Sequence, residues 1–286
     1  MDSILATLRF IATHPLSSKK PLAAFWRYGR WQIESRLRSE VEFDWIEGSK
    51  LVVRNGMTGA TGNIYCGLHE FSDMAFLLHL LRPDDLFVDI GANIGSYTVL
   101  TSRVCEARSI SVEPDPETMR SLKRNIERNQ IYHRVTLVEA ALGAKRGAVR
   151  FTVGQDTTNR VATIGDTKTR EVHVLSLDEM LEREAPVLIK MDVEGYESEV
   201  IAGAVKTLAK LSLLAVITET ADHKICTAFE GAGFRRAYYE PFQRTLSSDP
   251  PKGVVKSHNT LFARDLYTCL ALVRNAPCRT IYSQVV

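Results

Sequence analysis

Two acidic residues and a glycine-containing turn near residue 90 have the types and spacing needed to bind a charged ligand. The apolar run 86–90 is short enough for a buried strand and carries Asp89 near its end. Gly91 and Gly95 follow, where the backbone must turn tightly or let a ligand come close. An apolar stretch from Tyr97 then predicts a helix. Strand, turn and helix in this order form the ligand-binding end of a doubly wound α/β sheet.

The residues of this turn indicate what kind of ligand it binds. A dinucleotide turn has the pattern G-x-G-x-x-G, and counting from Gly91 its second and third glycine positions hold Asn93 and Ser96. The missing glycines argue against an NAD-dependent oxidoreductase. The carboxylate of Asp89 suits a cationic ligand without phosphates, and S-adenosylmethionine (SAM) is such a ligand. The run Asp-x-Gly-Ala-Asn-x-Gly resembles the first motif of class I SAM-dependent methyltransferases, so we expect Asp89, Gly91, Asn93 and Gly95 to bind SAM.

A second acid strengthens this interpretation. The run 109–112 predicts the next strand, and Glu113 follows it, 24 residues after Asp89. An acid at about this distance, at the end of the second strand, is where a ribose diol is held. Glu113 is therefore predicted to bind the SAM ribose. Glu70, which precedes a predicted helix, is the one acid of the preceding region that we place near the cofactor.

Further acids follow two later strands. Asp192 and Glu194 come directly after the buried run 187–191, and Glu219 follows the run 213–218. The carboxyl ends of strands are where open α/β sheets bind ligands. The candidates for catalysis are Asp192, Glu194, Lys190, Glu219 and His258. Among them Lys190 is interpreted as an ion-pair partner inside the acid cluster, and His258 lies in a loop just before a strand.

These residue types suit methyl transfer to a hydroxyl group. A sugar hydroxyl is a weak nucleophile, so a base or a metal must help to remove its proton. Asp192 is the first choice for the base or for the group that orients the acceptor. Converging acids also bind Mg²⁺ or Ca²⁺, so a metal is an open alternative, although none is expected and no metal ligands are assigned.

Composition narrows the class of protein. The chain has 286 residues with 36 basic and 34 acidic side chains, for a net charge of +2, which does not favour a nucleic acid as partner. Its five cysteines are widely spaced and form no metal-binding grouping. The apolar run 4–12 is too short to span a bilayer and lacks a signal-peptide cleavage site. We expect a cytoplasmic enzyme with no transmembrane segment; peripheral membrane contact and the oligomeric state stay open.

The order of predicted elements divides the chain into three parts. Residues 1–80 form a helical arm and β-hairpin extension, 81–265 the methyltransferase domain and 266–286 a C-terminal tail. In the extension, 55–62 is predicted to be a glycine-rich loop that leads into a short strand, 64–66. The arm carries aromatic residues beside arginines. These either pack the arm onto the domain or contact an anionic lipid or a sugar phosphate.

Four stretches together resemble the FkbM family of methyltransferases: 88–98, 112–114, 189–197 and 259–262. The resemblance covers roughly 65–265, and the stretch Lys-x-Asp-Val-Glu-Gly-x-Glu is its more specific part. It implies a doubly wound, Rossmann-like class I methyltransferase fold, with a mainly parallel sheet of seven strands and an antiparallel closing strand. It also implies SAM-dependent O-methylation of natural products, glycans or glycolipids. The chain departs from the family pattern at Met191 and Tyr196.

Two other functions stay open at this stage. Adenine and amide methyltransferases carry an Asn/Asp-Pro-Pro-aromatic motif where this chain has Asp192-Val193-Glu194-Gly195, and acids there would repel a phosphate backbone. An amine or nucleic-acid methyltransferase is therefore the weaker alternative. A non-catalytic SAM-binding scaffold protein, with the arm as its interaction surface, is the other.

Overall fold

A computed structural model gives the fold, and it describes residues 2–154, 159–163, 165–250 and 259–286. The helices are α1 (Asp2–Thr13), α2 (Pro21–Leu37), α3 (Thr58–Cys66), α4 (Phe71–Leu80), α5 (Ser96–Val99, continued by a π-helical turn Leu100–Val104), α6 (Pro116–Asn129, followed by a 3₁₀ turn Tyr132–Arg134), α7 (Leu177–Met180), α8 (Glu197–Ala202), α9 (Val205–Leu208), α10 (His223–Gly231) and α11 (Leu266–Arg274). The strands are β1 (Val41–Asp44), β2 (Lys50–Val53), β3 (Leu86–Ile90), β4 (Arg108–Val112), β5 (Val135–Val138), β6 (Ala141–Leu142), β7 (Gly147–Thr152), β8 (Thr169–Leu175), β9 (Pro186–Met191), β10 (Ala215–Thr218), β11 (Arg235–Glu240), β12 (Thr245–Ser247), β13 (Thr260–Ala263), β14 (Thr280–Ile281) and β15 (Gln284–Val285).

The central sheet has eight strands in the order β12-β11-β13-β10-β9-β3-β4-β5. Strands β5, β4, β3, β9 and β10 pair in parallel, whereas β13 runs antiparallel to both β10 and β11. This arrangement confirms the doubly wound class I methyltransferase fold. The short strand β12 adds an eighth strand at one edge. The chain leaves β3 towards β4 and β5 and later returns to the other side of β3, so the strand order reverses there, at the position where such sheets bind ligands.

Apolar side chains cover both faces of this sheet. On one face, one buried cluster contains Leu77 of α4, Leu100 of the π-helical turn after α5, and Leu122 of α6. On the other, Val200 of α8 and Phe229 of α10 belong to a second. The strands between them read as near-continuous apolar runs because parallel strands are buried on both sides. Helices on both faces hold the carboxyl ends of β3, β4, β9 and β10 in fixed positions.

The predicted hairpin forms and is fastened to the SAM-motif turn. Strands β1 and β2 pair antiparallel, with Val41 opposite Val53. The buried Asn125 of α6 accepts a hydrogen bond from the Val52 amide at 2.7 Å and donates one to the Ile94 carbonyl at 2.8 Å. One amide side chain thus connects the hairpin, α6 and the turn after β3.

Residues 55–66 differ from the sequence-based prediction. The expected loop and strand are instead the loop 54–57 and helix α3. Glycine and threonine favour helices weakly, but Ala60, Ile64 and Tyr65 bury their side chains. The guanidinium of Arg27 on α2 also donates to the Tyr65 carbonyl at 2.6 Å. Tertiary burial therefore overrides the weak local preference, and Gly67, with φ +98°, ends the helix.

The last 21 residues pack onto the body of the protein. Cys269 and Val273 of α11 and Ile281 of β14 are buried, and the Arg82 guanidinium donates to the Leu272 carbonyl at 2.5 Å. The division of the chain at residues 80 and 265 stays a prediction. Within the described residues, we find no helix with the length and hydrophobicity that crossing a bilayer requires.

Candidate active site

A cleft of about 260 Å³ opens at the carboxyl ends of β3, β4, β9 and β10. All the sequence-predicted cofactor residues except Gly95 line it, together with Lys190, Asp192, Glu194 and Glu219. The lining of the cleft is chemically mixed. It combines carboxyl groups with apolar side chains, among them Val112, Leu142, Phe151 and Val161.

The turn after β3 depends on glycine at two positions. Gly91 has φ +75°, and a Cβ there would lie 1.9 Å from the Asp192 carbonyl oxygen. Gly95 has φ +90°, and its Cβ would meet Leu122 at 2.3 Å. Gly95 therefore lies behind the cleft wall, against α6. Asn93 adopts a left-handed conformation with φ +52°, which asparagine tolerates better than most residues, and its Oδ1 accepts the Ile94 amide at 2.7 Å.

Glu113 is held at the end of β4 by backbone donors. Its two carboxylate oxygens accept the amides of Asn93 at 3.0 Å and Asp115 at 2.9 Å. Burial nevertheless raises the pKa of this carboxyl to about 7. Each carboxylate oxygen has a second lone-pair site, so the group can still accept hydrogen bonds from a ribose diol in the cleft.

Asp89 lies in the floor of the cleft and is almost fully buried, with 1% of its surface exposed. Its Oδ2 accepts a hydrogen bond from the Thr98 hydroxyl at 2.8 Å. Burial raises the pKa of Asp89 to about 6, and the nearby ammonium of Lys190 opposes that rise. The carboxyl is thus already hydrogen-bonded and faces a protein cation. This position suits charge balance beneath the ligand better than a direct contact, and its role in SAM binding stays a prediction.

Lys190, Asp192 and Glu219 form a linked group at the ends of β9 and β10. The buried Lys190 ammonium donates to Asp192 Oδ2 at 2.7 Å and lies 4.8 Å from the Tyr97 ring centre. Burial alone would lower the pKa of Lys190, but the carboxylates of Asp192, Glu70 and Asp89 raise it above its usual value. Burial likewise opposes ionisation of Asp192, yet Lys190 holds its pKa below the usual range.

The pKa of Glu219 is shifted by its neighbours in this group. Burial, the Asp192 carboxylate and Glu194 raise the pKa of Glu219 to about 7, and its carboxyl is hydrogen-bonded to Asp192. Burial followed by Asp192 also raises the pKa of Glu194, a residue with φ +49° in the turn after β9. One oxygen from each of Asp192, Glu194 and Glu219 lies within 4.8 Å of the others, close enough to hold a metal ion. Lys190 already neutralises part of this charge.

Glu70 also lies in the cleft wall. It accepts hydrogen bonds from the Tyr97 hydroxyl and from the Asn259 side-chain amide, both at 2.8 Å. The same amide also donates to Asp73 at 3.0 Å. Glu70, which directly precedes α4, therefore contacts α5 and the residue before β13 at the roof of the cleft, next to the ring that Lys190 contacts.

His258 lies outside the described residues. Its neighbour Asn259 is buried and bonded to Glu70, a position that sequence reasoning did not assign to the site. Tyr97 and His69 in the cleft wall were also missed. The signals were present, because Tyr97 belongs to the first motif and Asn259 to the last resembling stretch, but neither pattern says which way a side chain points.

The donor set fits SAM. Six carboxyl groups and one lysine border the cleft: Glu70, Asp89, Glu113, Asp192, Glu194, Glu219 and Lys190. An excess of carboxylates attracts ammonium and sulfonium groups and repels a pyrophosphate. The apolar part of the lining suits a planar base.

Comparisons with known proteins agree with this chemistry. The methyltransferase FkbM domain matches residues 89–236. Hexuronic acid methyltransferase AglP of Haloferax volcanii is 29% identical over 143 residues, which cover 49% of this chain and 58% of that protein. Ribosomal protein L11 methyltransferase of Chloroflexus aurantiacus is 29% identical over 80 residues, covering 27% of this chain and 24% of that protein. The matches thus span less than two thirds of either relative.

Among solved structures, M. jannaschii TYW2 in complex with AdoMet superposes with a TM-score of 0.43 at 12% identity, covering 79% of this chain and 85% of that one. The strand order and the FkbM match define a SAM-dependent methyltransferase of class I. Because the matched domain spans just over half of the sequence, the chain belongs to the FkbM methyltransferase family. SAM is its cofactor.

Proposed function

We propose that the chain transfers the SAM methyl group to a hydroxyl of a sugar, in a glycan, a glycolipid or a related natural product. The observation that carries this proposal is the carboxyl group cluster in the cleft wall. One oxygen from each of Asp192, Glu194 and Glu219 lies within 4.8 Å of the others, beside the Lys190 ammonium that donates to Asp192. An amine acceptor arrives protonated and must lose that proton before it reacts, whereas a hydroxyl needs a base during transfer. The likeness to a hexuronic acid methyltransferase supports a sugar acceptor.

In this proposal the cofactor is held by residues that line the cleft. Glu113 accepts the ribose hydroxyls, the turn 91–95 lies beside the methionine part, and Asp89 balances charge beneath it. Glu70 and Tyr97 keep the roof in place. SAM supplies an electrophilic methyl group on a sulfonium, and the walls of the cleft must align the acceptor oxygen with it, because positioning accounts for much of the rate.

The structure favours a division of roles between the two acids. Asp192 is tied to Lys190 and has a low pKa, so it is a weak base and suits orienting the acceptor hydroxyl. Glu219, with a pKa of about 7, accepts the acceptor proton more readily near neutral pH. We therefore propose Glu219 as general base and Asp192 as the group that raises its basicity. Lys190 positions Asp192, and Glu194 borders the acceptor side.

The test is methyl transfer from labelled SAM by the purified chain. The acceptor panel contains hexuronic-acid glycans, neutral glycans, a glycolipid, an amine-bearing peptide and a tRNA. We expect product with at least one sugar acceptor and a loss of about 10²–10⁴-fold in kcat for Glu219→Gln. SAM affinity should change little in this variant, since Glu219 acts on the acceptor.

The control is Glu199→Gln, an exposed acid on α8, which should keep full activity. Methylation of the peptide or tRNA alone would overturn the proposed acceptor class. SAM binding without product on any acceptor would favour the non-catalytic alternative. Full activity of Glu219→Gln on a sugar would keep the function and remove the assigned base.

A further inference from the structure

Helix α2 is apolar on two opposite faces. Ala24, Trp31 and Ser35 are buried against the body of the protein. A second set of side chains, named here the α2 stripe, is 63–83% exposed: Leu22, Trp26, Ile33 and Leu37. These four follow one another by four, seven and four residues, a spacing that keeps them on one side of a helix. A contiguous exposed apolar face of this kind marks an interaction surface.

The segment of the chain that carries the α2 stripe is basic. Residues 1–38 contain seven lysines and arginines but only two acids, for a net charge of +5. The whole chain has a net charge of +2, so the remaining residues carry −3. The exposed bases of this segment that form no ion pair among the described residues are Arg9, Lys19, Lys20, Arg36 and Arg38.

We propose that α1 and α2 form a docking surface for a bilayer that contains anionic phospholipids. Apolar side chains on a helix flanked by lysine and arginine lie in the plane of the lipid interface. Tryptophan is enriched at that depth, and Trp26 is 74% exposed. The negative charge of the rest of the chain would repel the same bilayer and so fix which side docks. The centre of a protein–protein interface is depleted in charged residues, which makes a protein partner the weaker occupant.

The docking surface formed by α1 and α2 is connected to the wall of the cleft. Arg27 of α2 donates to the Tyr65 carbonyl of α3, and His14 Nε2 lies 3.2 Å from the His69 carbonyl. Ala60 of α3 and His69 both border the cleft. Docking through α1 and α2 would therefore hold the cleft close to the membrane surface. The proposal does not rest on the identity of the methyl acceptor.

The test uses the full chain and vesicles of phosphatidylcholine with or without phosphatidylglycerol. Trp31 and Trp45 are buried, so a blue shift of tryptophan emission on binding reports Trp26. We expect binding and a blue shift with the anionic vesicles, neither with the neutral ones, and release at about 0.5 M salt, where charges are screened within a few ångströms. The triple variant Lys20→Glu, Arg36→Glu, Arg38→Glu should bind at least ~10-fold more weakly.

The matched control reverses three exposed lysines outside the arm: Lys145→Glu, Lys206→Glu and Lys224→Glu. It makes the same change in net charge and should retain binding. A second pair compares Trp26→Ser, expected to bind weakly, with Leu211→Ser, an exposed leucine elsewhere. Equal loss in both triple variants, or no binding by the native chain, would overturn the proposal. So would a dimer in light scattering that Trp26→Ser dissociates while vesicles fail to bind.

Discussion

Glu113 shows how a single residue can report cofactor binding. Burial raises its pKa to about 7 even though two backbone amides hydrogen-bond to it. In the proposed ribose contact, the hydroxyls hydrogen-bond more strongly to the ionised carboxylate than to the neutral acid, so SAM binding should release a proton wherever Glu113 is protonated beforehand. Below pH ~7 each unit of acidification then costs up to about 1.4 kcal/mol of binding free energy for one group.

We therefore expect SAM affinity to be constant above pH ~7 and to fall by up to ~10-fold per pH unit below it. Calorimetric titration from acid to neutral pH, in buffers of different ionisation enthalpy, measures both the affinity and the proton released. Glu113→Gln should bind weakly with a flatter profile. Glu139→Gln, an exposed acid after the next strand, should match the native chain, and a pH-independent native affinity would contradict the ribose assignment.

The raised pKa of Glu219 leads to a separate prediction about the rate of methyl transfer. Its pKa is raised to about 7, so the carboxyl is mostly protonated below that pH and cannot accept a proton. The logarithm of kcat/KM should rise with pH and level off above about 7. Asp192→Asn removes the charge that raises the Glu219 pKa, so the inflection should move to lower pH while the plateau rate falls. An inflection at an unchanged pH would show that Glu219 does not accept the proton in the rate-limiting step.

At the scale of elements, the turns after β3 and β9 lie against each other. Gly91 and Gly195 both have positive φ, +75° and +86°. A Cβ at Gly91 would overlap the Asp192 carbonyl, whereas one at Gly195 would meet nothing within 4 Å. The two glycines thus separate the cost of backbone conformation from the cost of close packing.

Gly195→Ala should lower the free energy of unfolding by only about 1–2 kcal/mol, the cost of a left-handed alanine. Gly91→Ala should cost clearly more, and also weaken SAM binding, because the turn must move away from Asp192. Urea unfolding monitored by circular dichroism measures the difference. Equal costs at the two positions would show that the turns can separate freely.

At the scale of the whole molecule, one buried cluster includes Ile11 near one end of the chain and Ile281 near the other. Arg279 also pairs with Glu47, and Arg244 donates to backbone carbonyls of the C-terminal segment, including Pro277 at 3.0 Å. The arm, the hairpin and the last residues therefore share packing with the sheet-covering helices.

Substitution of either buried isoleucine should destabilise the same folding unit. We expect Ile11→Ala and Ile281→Ala each to lower the free energy of unfolding by about 2–5 kcal/mol, within a single transition. Val285 is exposed and offers a control. The substitution Val285→Ala should change the free energy of unfolding by less than ~0.5 kcal/mol. A separate early transition in one variant would instead indicate that the end of the chain carrying that substitution unfolds by itself.

Much of the fold follows from local patterns. The runs 86–90, 109–112 and 187–191 predict buried strands, and all three pair in the central sheet. The prediction failed at 58–66, where glycine and threonine suggest a loop but burial against α2 produces a helix. The short strand β12 was also missed, because three residues at a sheet edge carry little periodic signal.

The sequence by itself determined the sheet, the SAM-motif turn and the strand ends at which acids gather. It can do so because the carboxyl ends of parallel strands meet at one edge, whatever the loops between them. Tertiary structure alone decided which acids interact and how. Oxygens of Asp192 and Glu219 lie within 4.8 Å of each other, Lys190 contacts Tyr97, and Glu70 accepts a hydrogen bond from Asn259, 189 residues away. Side-chain direction and burial set those contacts and the resulting pKa values, and neither can be read from spacing along the chain.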